Sequence, residues 1–154
     1  RGAVVAWCLP RTLSEAARRQ GYLVRGHCPG GAEPILKYVA ALPGDTVRVT
    51  AEGLTVNGRL LANSRPAARD SHGRALVAIP PGTYPVPPGR AWLWSPHTTR
   101  SFDSRYYGPL ELRGLVGVAR PVWTSHPALP AGARHGLLPA ELARETDTLL
   151  VGER

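Results

Sequence analysis

Apolar residues in this chain come mostly in short runs that alternate with polar ones, and turn residues cut the runs at close intervals. "AVVAWCLP" at the start predicts a strand. "TLSEAARRQG" has the spacing of a short helix, with Thr12 or Ser14 as N-cap and Gly21 as its stop. From there the pattern is β. "ILKYVAAL" predicts a strand closed by the turn "PGD", and "TVRVT" alternates with period two. "GLTVNGRLL" places Asn57 and Gly58 between apolar alternations, a strong hairpin signal because both turn residues tolerate positive φ. A polar, exposed loop is expected from Ala62 to Arg74, then strands in "ALVAI", "GTYPV" and "RAWLWS". A further loop from Pro96 to Arg105 leads into "YYGPLELRGLVGVARPVW", read as one or two strands. No internal repeat is found. The strand spacing and frequent turns predict a mainly β fold, a barrel or sandwich of short antiparallel strands with one small helix. From Pro127 a Pro/Gly/Ala linker leads to a candidate second helix, Pro139 to Thr146. The expected organisation is one domain over residues 1–125 and a tail over 126–154.

Charge narrows the function. The net charge of +8 would suit an anionic partner, but the arginines stand singly or in pairs and never form a dense basic run, so nucleic-acid binding is not expected. The chain has no methionine and opens directly into an apolar run, which reads as a fragment or a processed product. Any membrane anchor is expected upstream of Arg1. Trp92 and Trp94 share one face of a predicted strand, as core or as a patch at a membrane surface.

All but one of the 19 lysine and arginine residues are arginines. The exception, Lys37, lies among Ile35, Leu36, Tyr38 and Val39. On a strand it shares a face with Ile35 and Val39, so its amine projects from an apolar surface. An arginine there would keep its proton, whereas a desolvated lysine loses its charge readily, and the neutral amine is a competent general base. The competing reading is a lysine laid over apolar surface on an edge strand, where it discourages aggregation.

"LKYVAALPGD", the hairpin "VNGRLLANS" and "SFDSRYYG", in this order, together resemble the S26 family of signal peptidases, and within it the conjugative-transfer peptidases of the TraF type. The resemblance runs from Arg1 to about Trp123 and implies a membrane-anchored Ser/Lys endopeptidase. By it, Lys37 is the general base that takes the serine's proton and later activates water. Ser101 orients that amine, and Asp103 and Arg105 support the site, as a loop-bracing ion pair or with a direct chemical role. Gly44 and Asp45 form the turn after the lysine strand. The resemblance puts the nucleophile upstream of "RGAVV", in a Ser-x-Pro segment outside this chain, so the fragment is expected to be inactive. Ser14 reads as a cap or first-turn residue, and Ser64, Ser71, Ser95, Ser104 and Ser125 have no motif to recommend them.

Cys8 and Cys28 flank the predicted helix and suggest a disulfide formed in an oxidising compartment such as the periplasm. His27 beside Cys28 raises metal binding, but two thiols and one adjacent histidine lack the usual ligand count and spacing. No metal or cofactor is expected. The scattered His72, His97, His126 and His135 suggest no Ser/His/Asp triad. The implied partners are an exported precursor such as a pilin, bound as an extended peptide, and the bacterial inner membrane, reached from its periplasmic side. Cleavage is either hydrolytic or coupled to cyclisation of the product. Two alternatives stand beside this reading: a self-cleaving Ser/Lys regulator of the LexA type, favoured by reduced cysteines, and a non-catalytic module of a conjugation or secretion apparatus.

Overall fold

Two antiparallel sheets share the strands' apolar alternation between two cores. The computed structural model describes residues 1–120. The expected linker, the candidate helix from Pro139 to Thr146, Ser125, His126 and His135 lie outside the described residues. The strands are β1 (Val4–Trp7), β2 (Arg25–Cys28), β3 (Ile35–Ala41), β4 (Thr46–Thr50), β5 (Gly53–Val56), β6 (Arg59–Leu60), β7 (Gly82–Pro85), β8 (Arg90–Trp94), β9 (Leu110–Glu111) and β10 (Leu115–Ala119). The helices are α1 (Arg11–Arg19) and α2 (Ser104–Tyr107), with a 3₁₀ turn at Leu112–Gly114. One sheet runs β10-β1-β3-β8-β9 and the other β6-β5-β4-β7. The fold is therefore mainly β with short antiparallel strands, as the alternation predicts.

The central sheet separates the two cores. Val5, Trp7, Ile35, Val39, Ala91 and Leu93 belong to the first, which Leu9, Leu110 and Leu112 help to close. Ala40, Ala41 and Trp92 belong to the second, with Val47, Val49, Leu54 and Val56 of the other sheet. A register shift between Val39 and Ala41 lets β3 pass from one core to the other. Trp92 is fully buried and the half-buried Trp94 packs on the same cluster, so both tryptophans serve the core.

The local chemistry explains most boundaries. Asn57 and Gly58 both have positive φ, and Val56 pairs with Arg59 across them, as a two-residue hairpin requires. Helix α1 ends in a Schellman motif: Gly21, at positive φ, donates to the Arg18 carbonyl, and Tyr22 donates to that of Ala17. Pro85 is tolerated because β7 is an edge strand.

Three expectations are corrected, and two further features come into view. Helix α1 is capped by Pro10, not by Thr12 or Ser14, and begins at Arg11. Ser14 lies in its first turn, where its hydroxyl donates back to the Leu9 carbonyl at 3.0 Å. "ALVAI" forms no sheet strand. Its donors meet separate carbonyls instead, Leu76 that of Ala68 in the preceding loop and Ile79 that of Arg105 in α2. "RGHC" forms β2, a short strand bridging Ala32 that weak alternation had hidden. The loop after Pro96 ends at Asp103, which caps α2 by accepting the Arg105 amide. The expected exposed loop from Ala62 to Arg74 is anchored inward at Ser64, which bonds Leu54 N and the Leu61 carbonyl.

Candidate active site

Lys37 occupies β3, the middle strand of its sheet, so the edge-strand reading does not hold. Val5 lies directly across from it on β1, and Val118 lies across from Val5 on β10. The lysine stem thus extends an apolar row on the face that carries the first core. The residue is half-buried. Burial lowers its pKa below the ordinary 10.5, the Arg105 charge acts in the same direction, and the Asp103 carboxylate partly opposes them.

The second half of the site comes from the segment before α2. Strand β8 ends at Trp94, which pairs with Tyr38, the residue next to Lys37. The Ser95 amide donates to Asp103 Oδ2 at 3.3 Å, which ties "SFDSR" to the end of β8. Ser104 adds a second tie, its hydroxyl accepting from the Leu93 amide at 2.8 Å.

Asp103 and Arg105 form the rigid centre of this segment, both fully buried. Arg105 Nε donates to Asp103 Oδ1 and Nη2 to Oδ2, each at 2.8 Å, the bidentate fork that lysine cannot make. Its remaining donors bind four carbonyls. Nη1 reaches those of Asn63, Arg65 and Thr99 at 3.2, 2.8 and 2.9 Å, and Nη2 reaches that of Ser101 at 2.9 Å. One guanidinium therefore holds two loops against the strand that ends beside Lys37. Its geometry is that of a brace.

Ser101 is buried in the same segment, and its hydroxyl has no hydrogen-bond partner among the described residues. The bond to the lysine amine that the resemblance implies is not formed here. Burying a hydroxyl without a partner costs about 1–3 kcal/mol.

Gly44 and Asp45 act in the turn after β3. Gly44 has positive φ, and Asp45 accepts from Leu42 N at 2.9 Å and from Asn57 Nδ2 at 2.8 Å, locking the turn to the hairpin. Cys8 and Cys28 form a disulfide that ties the end of β1 to β2 around α1. Both thiols are thereby removed from metal ligation. Among the described residues no three His, Cys, Asp or Glu side chains are grouped to hold a metal ion, and no helix is long and apolar enough to cross a membrane.

Sequence reasoning missed two contacts. His97 Nε2 lies 3.3 Å from the Tyr38 hydroxyl on the face opposite Lys37. Asp70 joins Tyr22 and Arg74, each at 2.6 Å, and bridges α1 to the loop after β6. Neither had a local signal, since the partners lie 59 and 48 residues apart.

The family model described as "Signal peptidase, peptidase S26" matches residues 1–124. The conjugal transfer protein TraF of Agrobacterium tumefaciens (strain 15955) is 42% identical over 127 residues, 82% of this chain and 70% of that protein. A plasmid transfer protein TraF of Escherichia coli is 36% identical over 125 residues, 80% of this chain and 71% of that one. A solved signal peptidase I of Enterococcus faecalis aligns with 78% of this chain and 95% of its own, at 21% identity and a TM-score of 0.45. Since that family model matches residues 1–124 of the 154, the chain belongs to the signal peptidase family, peptidase S26.

Proposed function

We propose that this chain is the catalytic domain of a membrane-anchored Ser/Lys endopeptidase that processes an exported precursor on the periplasmic side of the inner membrane, with a conjugative pilin as the fitting substrate. The observation that carries this reading is Lys37: a half-buried amine on an apolar face, its proton affinity lowered, beside the braced segment of Ser101, Asp103 and Arg105. In that role the neutral amine takes the proton from a serine hydroxyl as it attacks the scissile carbonyl. The same amine, now protonated, then gives its proton to the leaving amine. Ser101 supplies the hydroxyl that orients it, and Asp103 and Arg105 fix where Ser101 stands.

The nucleophile in this reading is a serine N-terminal to Arg1. The chain's entry into the sheet supports that placement, since the Gly2 amide bonds the Val39 carbonyl at 2.8 Å and Val5 faces Lys37. The acyl-enzyme is resolved by water, or by the amine at the product's own N-terminus, which would cyclise it. The disulfide weighs against a self-cleaving cytosolic regulator, which would keep its thiols reduced. Similarity to TraF proteins supports the conjugative substrate.

The test is precursor cleavage by the whole protein in membranes, comparing wild type with Lys37→Arg. Loss of at least about 100-fold in rate with the fold retained is expected when a general base is replaced. Wild-type cleavage by the variant overturns the assignment. A correctly folded wild type that cleaves no secreted or conjugative precursor favours the non-catalytic module.

A further inference from the structure

Phe102 separates Ser101 from Asp103, and three tyrosines cage its ring. Tyr22 lies 5.3 Å away and tilted, Tyr106 stacks near-parallel at 5.9 Å, and Tyr107 meets it edge-on at 5.3 Å. The cage is itself tied down. The Tyr106 hydroxyl accepts the Ala67 amide at 2.9 Å, and Tyr22 donates to Asp70 Oδ2 at 2.6 Å. Arg74 Nε meets the same carboxylate, its guanidinium lies 5.2 Å over the Tyr22 ring, and its Nη2 donates to the Gln20 carbonyl. Phe102 also walls a groove of about 180 Å³ together with Ala16, Ala17, Tyr22 and Leu76.

Arg105 holds the backbone of this segment at Thr99 and Ser101, and the side chain of Asp103. Nothing in that brace reaches residue 102. The Ser101 hydroxyl makes no bond that would fix its own rotation or height among the described residues. The ring that follows it is therefore the second anchor of the segment. We propose that Phe102 is a positioning residue: its caged ring fixes the segment that sets the Ser101 hydroxyl against the Lys37 amine. The inference rests on reading Lys37 as the general base. Phe102 touches no reacting atom in this scheme and acts through the placement of Ser101 and its segment.

Because the chain has one lysine, growth on ¹³C-lysine gives a protein with a single Cε resonance, whose titration reports Lys37 directly. In Phe102→Ala the midpoint is expected to rise by about one unit toward the ordinary lysine value as the segment loosens, a tenfold change in proton affinity. Phe102→Leu, which keeps an apolar side chain, restores part of the wild-type midpoint. Val56→Ala, a truncation in the other core, leaves it unmoved. In the whole protein, Phe102→Ala lowers kcat for precursor cleavage and leaves KM close to wild type. A Phe102→Ala midpoint equal to wild type, or an equal rise in Val56→Ala, overturns the positioning role. If Phe102→Ala does not fold, Asp70→Asn loosens the cage without removing the ring. An unmoved midpoint there overturns the proposal, and a smaller rise supports it. A wild-type midpoint at the ordinary lysine value would instead overturn the general-base reading on which the proposal rests.

Discussion

Replacing Arg105 by methionine removes the guanidinium and keeps an apolar stem of about the same girth. The loss reaches well beyond one ion pair. Asp103 keeps only the amides of Ser95 and Arg105 as donors, at 3.3 and 3.2 Å, while its carboxylate stays fully buried. The carbonyls of Asn63, Arg65, Thr99 and Ser101 each lose a donor as well. Removing one partner of a buried pair strands the other charge and costs about 3–5 kcal/mol. Small domains have a total stability of about 5–15 kcal/mol, so Arg105→Met is expected to remain folded with much of its margin gone. Urea unfolding at neutral pH should show the midpoint falling with little change in slope. Arg105→Lys should fall nearly as far, because a point ammonium cannot bond a carboxylate and two loops at once. Replacing both partners, Asp103→Asn with Arg105→Met, should cost less than the two single changes added together, since no charge is then stranded. A loss under about 1 kcal/mol in Arg105→Met would refute the brace, because that is the range of an exposed pair.

Further predictions concern other links in the fold. Opening the disulfide with Cys8→Ser and Cys28→Ser should cost about 3 kcal/mol through the freed 20-residue separation, read as a lower thermal midpoint than that of the oxidised protein. Gly53→Ala should destabilise by about 2 kcal/mol in the same assay, because Gly53 has φ +140° and an added Cβ would collide with the Ser64 hydroxyl. Lys37→Met should stabilise the protein, and the gain should depend on pH. The folded pKa of Lys37 lies below 10.5, so between the two values the unfolded chain binds more protons and wild-type stability rises with pH. The gain is therefore largest below the folded pKa and shrinks as pH climbs toward 10.5; urea unfolding at several pH values that showed a gain growing with pH would contradict the burial argument.

Local signals made part of this molecule legible before any coordinates. Asn57-Gly58 announced its hairpin because few residues accept positive φ at two successive positions. Gly21 announced the end of α1 for a similar reason. Period-two alternation placed Lys37 on a face with Ile35 and Val39, and the sheet register bears that out. What stayed hidden depends on distant partners. Thr12 and Ser14 have the chemistry of helix caps, yet Pro10 takes the position because its fixed φ already suits the turn into α1. "ALVAI" has a strand's composition but finds no neighbouring strand, and its amides go to a loop carbonyl and to a carbonyl of α2. "SFDSRYYG" gave the identity of the braced residues, while the loops that Arg105 holds, at Asn63 and Arg65, lie 42 and 40 residues away in sequence. A spacing rule does not reach that far.

The central claim is that Lys37 is a lysine held ready to lose its proton. The most direct measurement is the titration of its Cε resonance in the wild-type protein grown on ¹³C-lysine, followed from neutral pH into the alkaline range. The account predicts a single midpoint below 10.5, displaced by burial beside the Arg105 charge. A midpoint at or above 10.5 would mean that the amine is solvated or ion-paired and stays protonated, and the general-base role would fall with it.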